Sequence, residues 1–148
     1  MNKNSFLIEL SEGERTMFGR VEFAEQPLEQ QVFSSIWELE GQVNNGGFAQ
    51  LFANVEGEIT RFAPQALQMI GAHKCADIVA RALRVVSGID LQVGQGTWEE
   101  FLQTLGQKAM DELEPLDQEF FAYPDDLTEL LFNYVQARPE VFGPVVVE

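Results

Sequence analysis

Basic residues are scarce in this chain. Among 148 residues there are nine Lys and Arg against 24 Asp and Glu, a formal net charge of −15. Free nucleic acid and anionic membrane surfaces are therefore repelled at long range, and basic protein surfaces are the better partners. Cysteine is nearly absent as well: one cannot close an internal disulfide, and without a cysteine cluster there is no zinc set, which points to the reducing cytoplasm. Long apolar runs are missing. No stretch reaches the roughly 18 residues of a membrane span, and residues 1–9 lack the apolar core of about 7–15 residues that a secretory leader needs. Neither secretion nor membrane insertion is expected.

Hydrophobic residues, by contrast, make up 45 % of the chain, close to the globular average, which excludes a disordered acidic tail. The length fits one domain, residues 1–148, able to bury a real core. The charge is unevenly laid out, with a balance of −7 over residues 1–60, +2 over 61–98 and −10 over 99–148. This suggests a middle segment that is interior and flanks that supply the outer surface.

Helical periodicity runs through most of the chain. From Pro27, placed as the first residue of a helix, Leu28, Val32, Phe33, Ile36, Leu39 and Val43 share one face, while Glu29, Gln30, Ser34, Glu38 and Gln42 take the other. That helix should stop at Asn44-Asn45-Gly46-Gly47, and a second should bury Phe48, Leu51, Phe52 and Val55 before Gly57 ends it. Pro64 is expected to open a short helix with Leu67 and Ile70, closed by Gly71. Residues 72–86 form the most apolar helix, expected at the centre of a bundle, with Lys74, Asp77, Arg81 and Arg84 as its polar stripe.

After a glycine-rich loop over residues 87–96, Thr97 and Glu100 match a capping box, with Trp98, Phe101, Leu102 and Leu105 as the apolar face. Pro115 is expected to split a helical segment over 108–123, and Pro124-Asp125-Asp126 to start a last helix that Arg138-Pro139 closes. The strand candidates are short, residues 6–10 and 145–147. The fold class predicted is all-α, a single-domain helical bundle of roughly six to eight helices.

The chemistry-bearing groups are few. His73-Lys74-Cys75 holds the only His and the only Cys, but neighbours two apart on a helix diverge by about 200°, so a structural Cys and a partly exposed His are expected. Asn44-Asn45-Gly46-Gly47 could present backbone N–H groups as an anion nest, although a plain helix–helix corner is the simpler reading. It matches no nucleotide-binding glycine motif, and no cofactor is expected. Asp125-Asp126 lack the EF-hand spacing and read as helix caps, so no metal site is assigned. Lys74, Arg81 and Arg84 could grip a phosphate, but carboxylates from neighbouring helices are the expected partners.

The run from Ile36 to Asn54 carries a pattern: a helix ending in V-N-N-G-G-F, then Q-x-F-x-N. Ala66-Leu67, Ile70-Gly71-Ala72, the alanine-rich helix through Ala76, Ile78, Val79 and Ala82, and Leu116-Asp117-Gln118-Glu119-Phe120-Phe121 follow in order. Over residues 28–136 this resembles the bacterial DNA-mimic-protein (DMP-type) domain family, a domain of unknown function. The resemblance implies an all-helical domain in a family named for a member that imitates duplex DNA and occupies a DNA-binding regulator. The motif residues Asn44, Asn45, Gly46, Gly47, Phe48, Gln50, Phe52 and Asn54 look like core and corner positions.

The charge is sufficient in number for such a role. A globule of this length spans about 38 Å, over which duplex DNA carries on the order of 22 phosphates. The leading expectation is a non-enzymatic protein that binds a basic partner, such as a helix-turn-helix regulator or nucleoid protein. The acidic groups expected to contact it are Glu99, Glu100, Asp111, Glu112, Glu114, Asp117, Glu119, Asp125, Asp126 and Glu129. Two alternatives stand beside it: an immunity or accessory protein that blocks a cognate toxin, and an enzyme with a site around Asn44, Asn45, His73 and Asp117. A homodimer is left open.

Overall fold

The computed structural model describes residues 2–145, and all of the regular structure among them is helical. Eight α-helices follow one another: α1 (Lys3–Glu12), α2 (Leu28–Asn54), α3 (Gly57–Met69), α4 (His73–Val86), α5 (Trp98–Leu105), α6 (Gln107–Phe121), α7 (Leu127–Gln136) and α8 (Pro139–Phe142). A 3-10 turn, Phe23–Glu25, precedes α2. The all-α class is thus the observed one. Residues 6–10, a strand candidate by sequence, lie inside α1, where Phe6, Leu7 and Leu10 turn to the core with helical spacing. The other strand candidate, 145–147, falls largely outside the described residues.

α2 is the element around which the others assemble. It packs on α3, α5 and α6, and its Phe33, Ile36, Leu39, Val43, Phe48 and Leu51 are essentially sealed from solvent. Phe33 stacks on Trp37 and also meets Phe142 of α8, with ring centroids 5.5 and 6.1 Å apart, which draws the C-terminal end onto α2. The helix predicted for this role, α4, sits to one side against α3 and α6. Cys75, Ile78, Val79 and Ala82 face inward while Lys74, Asp77 and Arg84 stay exposed. The middle of the chain is therefore not interior throughout, and residues 87–88 and 94–97 are exposed.

Gln30 and Ser34, assigned by periodicity to the outer face of α2, are buried instead. The segment joining α1 to α2 folds over them and supplies partners. Gln30 accepts from the Met17 N–H at 3.0 Å and donates to the Arg15 carbonyl at 3.2 Å. Ser34 donates to Gln26 Oε1 at 2.7 Å, and Gln26 in turn donates to the Val21 carbonyl at 2.9 Å. A buried polar group is tolerable when so satisfied, and a helical wheel cannot see the covering loop. Leu28 and Trp98 err the other way. Both begin helices and stand exposed, Trp98 stacking on Phe101 with centroids 6.0 Å apart.

Prolines break less than expected. Pro64 lies inside α3 and Pro115 inside α6, and neither helix divides. Proline in a helix interior costs about 3 kcal/mol, but both helices bury residues on either side of it: Ala63, Ala66 and Leu67 in α3, Leu113 and Leu116 in α6. Likewise Gly57 starts α3 and does not end the helix before it.

The caps agree with the sequence. Thr97 accepts from the Glu100 N–H at 3.1 Å, and Glu100 accepts from the Thr97 N–H at 3.3 Å. Because α5 has only these groups at its exposed start, Thr97→Ala should lower unfolding stability by about 1 kcal/mol in a urea titration, with an unchanged slope.

Candidate functional site

The N-N-G-G corner is a break in α2 held by a side chain from α6. Gly46 and Gly47 leave helical geometry, and Gly47 at φ 76°, ψ −176° occupies a region that is essentially glycine's alone. The turn exposes the N–H of Phe48, first residue of the following helical stretch, and Asp117 Oδ1 accepts it at 2.8 Å. The corner thus does bind an anion, and the anion is the protein's own Asp117. A Cβ on Gly47 would lie 2.5 Å from Asp117 Oδ2, and one on Gly46 would collide with Gln50 Oε1.

The remaining motif residues close the same corner. Phe48 is buried, stacks on Phe52 and meets Phe120 edge-on with centroids 5.9 Å apart. Gln50 and Asn54 both donate to Gln42 Oε1, at 3.0 and 3.2 Å. Asn44 donates to the Tyr123 hydroxyl, which donates to Glu40 Oε1 at 3.1 Å. Asn45 is exposed. The V-N-N-G-G-F and L-D-x-x-F-F segments, far apart in the chain, therefore interlock through Asp117 with Phe48 and through Phe120 with Phe48.

The ten acidic groups fall into different kinds. Asp117 is half-buried, as is Asp125, whose Oδ2 accepts from the Cys75 N–H at 2.8 Å and so caps α4 from another helix's loop. Asp126 caps its own helix α7 by accepting from the Glu129 N–H at 3.1 Å. Glu129 is paired with Lys3 at 2.6 Å, and Glu119 with Arg81. The other five, Glu99, Glu100, Asp111, Glu112 and Glu114, are exposed on α5 and α6. Of these, Glu100, Asp111 and Glu114 take part in hydrogen bonds within their own helix turns.

On α4, Arg81 is gripped by Glu119 through both guanidinium nitrogens, at 2.7 and 2.9 Å, and by Asp77 at 3.0 Å. The Arg81 hydrogen bond holds the Glu119 carboxyl below its ordinary value. Lys74 and Arg84 make no ion pair among the described residues, so only one cation of the stripe is held as expected. Cys75 is fully buried, and burial pushes its thiol up to about 12, which removes it as a nucleophile at neutral pH. His73 is exposed and meets Gln68.

Asp117 is brought to the corner that carries Asn44 and Asn45, but His73 shares no groove with these three. The groove lined by His73 contains none of the other three, and the groove lined by Asn44 contains none of them either. Glu40, Trp37 and Tyr123, which sequence reasoning passed over, form a more coherent group. Burial raises the Glu40 carboxyl above its ordinary value, the Tyr123 hydrogen bond opposing and Asp126 adding to the rise. Tyr123 is the one non-glycine residue at positive φ among the described residues, at 48°. No period of the sequence marks these groups; a tyrosine beside proline at a helix end was the available cue.

Gly47→Ala should cost at least roughly 2 kcal/mol, since it adds backbone strain and displaces Asp117. Asp117→Ala should cost about 1–2 kcal/mol, and the double variant less than both together, measured by chemical denaturation. Glu40 gives a pH test. Its folded pKa lies above the unfolded one, so its contribution is present below about pH 4.3 and lost as pH rises through the folded value. Glu40→Gln should therefore gain stability relative to the parent between pH 4 and pH 7 in thermal melts, with the two closest at the acid end.

No curated protein and no solved structure matches the chain. The model of one family, DMP19-like protein, matches residues 24–138, a span that runs from the 3-10 turn through α7 and contains the whole interlocked corner. The chain belongs to the DMP19-like protein family.

Proposed function

We propose that this protein is a non-enzymatic, cytoplasmic DNA mimic whose acidic surface occupies the DNA-binding face of a basic protein, such as a helix-turn-helix regulator. The observation that carries the reading is the combination of family membership with a surface whose negative charge is largely uncompensated within the fold. Ion pairs among the described residues engage only Asp77, Glu119 and Glu129 of the acidic residues described. Along α5 and α6, Glu99, Glu100, Asp111, Glu112 and Glu114 stand exposed on helices. Fixed carboxylates on helices can present charge as a duplex presents phosphates, because their spacing is set by backbone and not by a flexible tail. Asp117, Asp125 and Asp126 contribute to the field but are held by caps, so the contact is expected to centre on α5 and α6.

The test is competition. Regulators of the helix-turn-helix class encoded beside or near this gene should be displaced from labelled operator duplex by the protein. Displacement should weaken steeply between about 50 and 200 mM salt. Neutralising Glu99, Glu112 and Glu114 together to Gln should reduce affinity about tenfold at low salt, three partly screened charges at 0.3–1 kcal/mol each. A partner bound with no salt dependence, or bound together with DNA, would overturn the reading.

A further inference from the structure

A groove of about 200 Å³ opens where α1, α2 and α7 meet, lined by Leu7, Trp37, Glu40, Asn44, Thr128 and Leu131. Its lining has three kinds of surface. Leu7 and Leu131 are apolar, Trp37 supplies an indole backed by Phe33, and Glu40 supplies a half-buried carboxylate. That carboxylate has a defined orientation, because Oε1 accepts from Tyr123, and Tyr123 is itself tied to Asn44. It has no cation: Glu40 enters no ion pair among the described residues. Lys3, the cation beside the groove residue Asn4, is taken up by Glu129 at 2.6 Å and lies over the Phe132 ring.

A half-buried carboxylate without a cation is costly for a fold to keep. The shape and chemistry around it suit one kind of side chain. An aliphatic stem fits against the leucines, a flat cationic head fits against an indole, and a carboxylate acceptor completes the head's hydrogen bonds. We propose that the groove receives an arginine side chain of the protein partner, its guanidinium paired with Glu40 and placed against Trp37. Lysine fits less well, being a point charge that neither stacks nor forks. This rests on the reading of the protein as a binder of basic proteins, and it adds to a diffuse acidic surface one site that selects a side chain.

The test needs no partner. The full chain is titrated with N-acetyl-arginine methylamide, and separately with the citrulline analogue, which has the same shape without the charge, while the Trp37 indole N–H is followed by NMR. The expected result is a saturable shift of that resonance with the arginine compound and a response at least about tenfold weaker with citrulline. Glu40→Gln should weaken the arginine response by about the same factor. No saturable shift at Trp37, equal responses to the two compounds, or a response indifferent to Glu40→Gln would overturn the proposal. The comparison of arginine with citrulline on the parent protein stands even if the variant folds poorly. Failure here with salt-sensitive regulator binding intact removes the groove and leaves the acidic surface. Saturable arginine binding in a chain that displaces no operator upholds the groove and removes the surface reading.

Discussion

The hydrogen bond from the Phe48 N–H to Asp117 is the contact on which the arrangement of helices depends. A helix that breaks must leave backbone donors without partners at its restart, and in a core those donors need an acceptor. Here the acceptor comes from α6, so the break in α2 and the docking of α6 are a single event. Gly47 makes this geometry accessible, because only a residue without Cβ can take its backbone conformation with a carboxylate at that distance. Phe48 then fills the space beneath by packing on Phe52 and Phe120. Two motifs that a sequence shows as separate strings are thus one structural unit.

The same principle recurs at α4, whose start has no cap of its own and takes Asp125 instead. Carboxylates in this protein therefore do two jobs. Some satisfy helix N-termini, where the dipole and free N–H groups favour a negative charge. Others remain on the outer faces of α5 and α6 and set the long-range field. Counting acids in the sequence cannot separate the jobs, since an Asp caps its own helix or another's with no change in local pattern.

Helix periodicity located α4, α5 and α7 to within a few residues, but it opened α3 late, at Pro64 and not Gly57, divided α6 at Pro115 and gave no α8; the Thr97 and Asp126 caps were readable from residue type and spacing. Four of the errors share one cause. Gln30, Ser34, Pro64 and Pro115 were judged by local propensity, and burial by distant segments overruled it. The groove at Glu40 was invisible for a related reason: its residues come from α1, α2 and α7, and Tyr123, which orients it, comes from the turn after α6.

By itself the sequence determined the helical class, the excess of carboxylates and the place of the N-N-G-G break, because these follow from composition, period and the backbone freedom of glycine. Only the tertiary structure decided which carboxylates turn inward as caps, which polar residues of α2 are covered, and where a carboxylate is left half-buried without a cation. Those outcomes depend on which segment lies over which, and that is fixed by long-range packing that no local window contains.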